Sequence, residues 1–158
     1  MPAYQTNYAG TLSPGYEGMI ANMEVTNIIS RTIETSGGIG FGKPAYQGAT
    51  DQSIAATGSI LRGVTVADKN VRPSGYAPNL AYSATSGDSY AQGDTVSVAT
   101  RGDVWVVVSG AVAAGAAAYL TPGQVWSATA SGNTAVPGAM FDSSAANGGL
   151  AKLRFSLV

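Results

Sequence analysis

Nowhere in the sequence does an apolar stripe recur at the i, i+3, i+4, i+7 spacing of an amphipathic helix behind a capping residue. That absence removes every helical architecture at once. In its place, 21 glycines and 7 prolines cut the chain into short segments, many of them rich in β-branched residues. Punctuation of this kind suits a sandwich or a small barrel. The expected fold is therefore mainly β: a single small β-sandwich or barrel with Gly-rich loops and an extended N-terminal arm. Residues 1–16 form the arm, and residues 17–158 form one β-rich domain, a size that can bury a substantial core.

Five stretches carry the strand signal. Residues 25–34 are rich in Ile, Val and Thr, with Ser30, Thr32 and Glu34 alternating onto one face. Residues 60–66 read as a second strand. Residues 95–100 and 104–108 form the strongest pair, and Arg101-Gly102-Asp103 between them suits a hairpin connection. Val104, Val106 and Val108 share one face while Trp105 and Val107 take the other, so both faces are expected to be covered. The last stretch, residues 150–158, alternates Leu153, Phe155 and Leu157 with Arg154 and Ser156. Only the Ala-rich stretch 111–118 could make a single helical turn, and Gly110 and Gly115 weaken it. Residues 67–93, with Pro73, Gly75, Pro78 and Gly87, read as a long loop or insertion.

Residue types that are missing narrow the chemistry. Without cysteine or histidine, the chain has no disulfides, no Cys/His zinc site, no thiol nucleophile and no ordinary neutral-pH base. The net charge of −1, with eight scattered cations, offers no field for a polyanion, so nucleic acid is not an expected partner. Residues 1–10 carry no basic side chain and no apolar run, which predicts no signal peptide. The longest apolar run, residues 104–120, is broken by Ser109, Gly110 and Gly115 and falls short of the ~20 residues of a membrane span. Charged residues make up only 11% of the chain, so its surface is polar and uncharged. Such a surface favours association over a free monomer.

Several residues invite a chemical reading. Gly37-Gly38-Ile39-Gly40-Phe41-Gly42-Lys43 matches a phosphate-binding loop through its lysine. Pro44 then stands where a hydroxyl must ligate magnesium, so a Gly-rich turn is the better reading. The nine carboxylates sit mostly beside turn residues, which makes a catalytic pair improbable, and no Ca²⁺ loop is present. No catalytic, cofactor-binding or metal-binding residues are assigned, no cofactor is expected, and the chain is expected not to be an enzyme. Trp105 and Trp126 are expected in the core. Tyr4, Tyr8, Leu12 and Tyr16 lie in the aperiodic first segment, as a frayed terminus or as anchors that dock on a neighbouring subunit.

A wider pattern joins these pieces. Ile60-Leu61-Arg62-Gly63-Val64-Thr65-Val66, then Tyr90-Ala91-Gln92-Gly93-Asp94-Thr95-Val96, then Gly102-Asp103-Val104-Trp105-Val106 resembles the structural cement and head decoration proteins of tailed bacteriophages. The step Val112 to Tyr119 and the segments 136–141 and 149–157 are similar to their carboxy-terminal half, although Ala116 stands where Asp or Asn is expected. The resemblance covers residues 38–158. It implies a protein on the exterior of a phage head, made in the host cytoplasm, that bridges neighbouring major capsid subunits and stabilises the shell. The implied partners are the major capsid protein and the chain itself, as a trimer ahead of a dimer. A phage tail or fibre module would share the composition but would show long repeats. A carbohydrate-binding or hydrolytic β-sandwich would need aromatic residues and two carboxylates converging in one groove.

Overall fold

A computed structural model describes residues 15–22, 24–67 and 89–157. Among them there is no helix; the described chain is strands and turns. In order these are β1 (Asn27–Ile33), β2 (Ile39–Gly40), β3 (Pro44–Gln47), β4 (Ser53–Ala55), β5 (Leu61–Thr65), β6 (Ser89–Tyr90), β7 (Thr95–Val107), β8 (Ala117–Leu120), β9 (Trp126–Ser127), β10 (Thr134–Phe141) and β11 (Leu150–Ser156). Nine strands form one sheet, and β2 with β6 makes a separate ribbon. Most of the expected long loop, with Tyr76 and Tyr82, lies outside the described residues; its end does not continue as loop, because Ser89 and Tyr90 form β6 and Tyr90 is buried.

β7 is the spine. Its first half pairs with β1, from Thr32 opposite Thr95 to Asn27 opposite Arg101, and with β5 at Ala99 and Val98. Its second half pairs with β11 over seven positions, from Ser156 opposite Arg101 to Leu150 opposite Val107. Around the first half the pairings β1–β4, β4–β3, β3–β5, β5–β7 and β7–β1 return to their start, so this part closes as a barrel. Around the second half the order β7–β11–β10–β8–β9 curls back, because Val108 bridges Trp126 and Ser109 N–H donates to the Trp126 carbonyl at 2.7 Å. Closing in this way shields edges that would otherwise template aggregation.

The expected hairpin at Arg101-Gly102-Asp103 is not there. These residues run on as one strand of 13 residues, and Gly102 is where its partners change. Gly102 takes φ +132°, and a Cβ there would lie 2.8 Å from the Thr26 hydroxyl. Glycine therefore serves a bend and a close approach instead of a chain reversal. The Ala-rich stretch also departs from expectation: Ala116 N–H closes a β-turn on the Ala113 carbonyl with Gly115 at φ +86°. Ala116 needs no Asp or Asn character, because Gly115 supplies the left-handed residue.

Two cores fill the sheet. One gathers Val104, Val106 and Val108 of the β7 region with Leu120, Trp126, Phe141, Leu153 and Phe155, all nearly inaccessible. The alternation read from the sequence for residues 104–108 and 153–157 is the origin of this core. The other is smaller and packs Ile33, Ile39, Phe41, Ile54, Tyr90, Val96 and Val98, with the Phe41 and Tyr90 rings edge to face at 5.1 Å. The two are joined by a buried hydrogen bond from Trp126 Nε1 to the Gly42 carbonyl, 2.9 Å long. Both tryptophans are buried, as expected.

Candidate interface grooves

Strand alternation places Ala151, Leu153 and Phe155 in the larger core and turns Lys152 and Arg154 to the opposite face. Register then sets Lys152 opposite Trp105, and Arg154 opposite Asp103. The Lys152 ammonium lies 5.7 Å from the Trp105 ring centroid. Residues 18–21 pair alongside β7: Gly18 N–H donates to the Trp105 carbonyl, Trp105 N–H to that of Met19, and Ala21 N–H to that of Asp103. The residues flanking this segment wrap over the face. Gly15 lies so close to the Trp105 ring that a Cβ would fall 2.7 Å from it.

Asp103 is completely buried, yet it is not an uncompensated charge. Arg154 grips it with two bonds, Nε to Oδ1 at 3.1 Å and a terminal nitrogen to Oδ2 at 3.0 Å. The Asn22 amide donates to the same carboxylate. Glu24, at 3.2 Å, and Asp142, at 3.7 Å, lie against the outer side of the guanidinium. The hydrogen bonds to Asp103, then its charge and those of Asp142 and Glu24, hold the Arg154 pKa above its ordinary value. A planar, always-charged fork suits such a bidentate grip.

Beside this network opens a groove of about 730 Å³ floored by Arg154, Asp103 and Phe155 and walled by Val25, Arg101 and Met140. Val25 is 78% exposed and Met140 is 44% exposed, two of the few large apolar side chains left in solvent. A second groove of about 690 Å³ lies between Tyr46, Leu61, Gln124, Val136 and Leu157. Both are lined by Gly138 and Ser156, and the pair of grooves is termed the furrow. Gly138, at φ +78°, brings its α-carbon against β11, where a Cβ would sit 2.7 Å from the Ser156 carbonyl. Ladder pairing between β10 and β11 begins only at Ala139 opposite Phe155, which leaves the Val136-Pro137-Gly138 stretch free to form the furrow wall.

The sequence-predicted positions fall variously. Tyr4, Tyr8 and Leu12 lie outside the described residues. Tyr16 is 38% exposed; its carbonyl accepts from Met19 N–H in a local turn, and the chain is tied to the body two residues on, where Gly18 N–H donates to the Trp105 carbonyl. Lys43 of the glycine-rich stretch is paired with Glu17 at 2.6 Å, and its neighbours Ile39 and Pro44 are in strands. That stretch is a turn between β2 and β3, with no helix amino terminus to cradle phosphate. The first groove brings Glu24 and Asp103 together, but both bind Arg154 and no Trp or Tyr lines it; the second has Tyr46 and no carboxylate. Trp or Tyr and paired carboxylates thus do not converge in either of these two grooves.

Sequence reasoning did not find Val25, Met140, Asp103 or Arg154 as a group. The available signal was Arg154, a cation between two core residues of an alternating strand, which requires something on the outer face to meet it.

A sequence profile of the family described as structural cement protein (E217 gp24/Pam3 gp6) matches residues 4–156. No curated protein matches the chain in sequence. Among solved structures, a chain of "The capsid of Myoviridae Phage XM1" superposes with a TM-score of 0.70 at 14% identity, covering 98% of each chain. At that identity the likeness speaks for the fold.

Proposed function

Because the chain belongs to the family of phage structural cement proteins, we propose that it sits on the outside of the head and bridges neighbouring major capsid subunits. Capsid cement is the family's role, and the chain is a component of the virion capsid. What carries the reading is the family match along residues 4–156. The furrow is its physical counterpart: exposed Val25 and Met140 stand beside charges already neutralised from within. A contact there gains apolar burial over an arginine, Arg154, whose charge is already paired. Many such modest contacts, repeated by symmetry, become collectively hard to break.

The chain acts as a homo-oligomer on the capsid, a trimer ahead of a dimer, and its work is structural, with no catalytic step. Tyr4, Tyr8, Leu12 and Tyr16 anchor an arm on a neighbouring subunit. Ordering a backbone costs ~1–2 kcal/mol per residue. Burying each large side chain returns about 1.5–3 kcal/mol. The arm therefore settles only where a complementary groove is offered. Purified protein added to undecorated heads and imaged should appear at regular symmetry-related positions between capsid subunits. Heads that stay bare would refute the cement reading; copies bound singly would refute the oligomer.

A further inference from the structure

We infer that the groove walled by Val25 and Met140 receives an acidic side chain with apolar neighbours, carried by the major capsid protein, and that Arg101 is the cation that pairs with it. The inference rests on the cement reading above and adds the site and the chemistry of the contact.

Four charged residues line this groove, and three of them hold one another. Arg154 grips Asp103 by two bonds and lies 3.2 Å from Glu24. Arg101 is the fourth. It is exposed, and among the described residues no hydrogen bond or ion pair holds its side chain. Its cross-strand neighbours, Asn27 on β1 and Ser156 on β11, carry no charge, so the sheet supplies no internal partner.

The same wall carries Val25 and Met140, both exposed. A partner that covers them also strips water from Arg101. An apolar partner alone would leave that guanidinium dehydrated with nothing in exchange. A carboxylate set among apolar side chains replaces the lost water with charge-assisted hydrogen bonds, and the pair strengthens as water is excluded around it.

The chain itself does not present such a group. Among the described residues, Asp51 alone has a carboxylate with neither hydrogen bond nor ion pair, and it stands between polar Thr50 and Gln52. The donor is therefore a different chain, and the shell that the protein decorates supplies one.

Two measurements on the full-length protein test this. Arg101→Glu should weaken attachment to undecorated heads at least about tenfold, with an unchanged thermal melt because the side chain holds nothing in the free protein. Arg62→Glu makes the same charge change on β5, outside both grooves, and should leave attachment nearly as it was. Equal losses from the two variants, or no loss from the first, would overturn the inference. In the second measurement, heads decorated with Arg101→Lys are treated with a carbodiimide. The reagent joins the introduced amine to a touching carboxyl group as an amide, and the departing carboxyl oxygen ends on the urea by-product. Peptide mass spectrometry should find the link on an Asp or Glu of the major capsid protein with apolar neighbours. A link to a second copy of the chain, or decorated heads without a link, would overturn the inference. Parent protein that leaves heads bare strikes the cement reading and this one together; parent and Arg101→Glu bound equally well strike this one alone.

Discussion

The two halves of the sheet are held together by different means. Around the second half of β7, long regular ladders and alternating side chains build most of the larger core; of its seventeen buried residues among those described, only Tyr46, Val64, Val66 and Ala99 come from the other half. Around the first half, short strands close a barrel about eight buried residues, and the closure depends on glycines at close approaches. Gly63 of β5 is the clearest of these, because a Cβ there would stand 2.2 Å from the Ala99 carbonyl and 2.5 Å from Val98. One half is specified by side-chain pattern, the other by the lack of a side chain at particular points.

That contrast has measurable consequences. Phe155, 2% exposed, fills the larger core, so Phe155→Ala should lower the unfolding free energy by about 3–5 kcal/mol in a denaturant titration. An unchanged midpoint would make β11 peripheral and reverse the ranking of the two halves.

The difference also explains what could be read from sequence. β11 and the second half of β7 were legible because Val104, Val106, Val108, Leu153 and Phe155 alternate within a few residues. The continuity of β7 was not. Gly102 has the local signature of a turn, and what keeps the strand running is Asp103 bound to Arg154, 51 residues away. The furrow was hidden for the same reason: Val25, Met140 and Ser156 meet only after three separate strands have paired. Pro44 was enough to set aside a phosphate role for Lys43, but its actual partner, Glu17, is 26 positions distant and carried no local signal.

A change in the barrel half sharpens the comparison. Gly63→Ala must displace backbone of β7, and should cost about 1–3 kcal/mol, although it adds a single methyl group to a strand. The same change at Gly110, where a Cβ would meet nothing within 4 Å, introduces only the strain of φ +90°. Thermal melts of the two variants separate contact from backbone strain. Equal shifts would mean that the close approach at Gly63 is not what closes the barrel.

The smallest effect is one of pH. Hydrogen bonds from the Ser53 hydroxyl and then from Ala49 N–H hold the Glu34 pKa below its ordinary 4.5, tying β1 to the turn before β4. A lowered folded pKa stabilises above the unfolded value, and that stability is lost as pH falls through the folded one. Glu34→Gln should therefore melt lower than the parent at neutral pH, with the gap narrowing below pH 4.5. A gap independent of pH would show that the carboxylate's charge has no part in closing the barrel.

The central claim is that this β-barrel protein works as cement, adding mechanical resistance to a shell it does not itself form. The most direct measurement is the temperature at which packaged heads release their DNA, compared with and without the bound protein. Decorated heads should hold their DNA to a higher temperature, and adding the protein back to stripped heads should restore the difference. Full occupancy of the heads with no change in the release temperature would contradict the account.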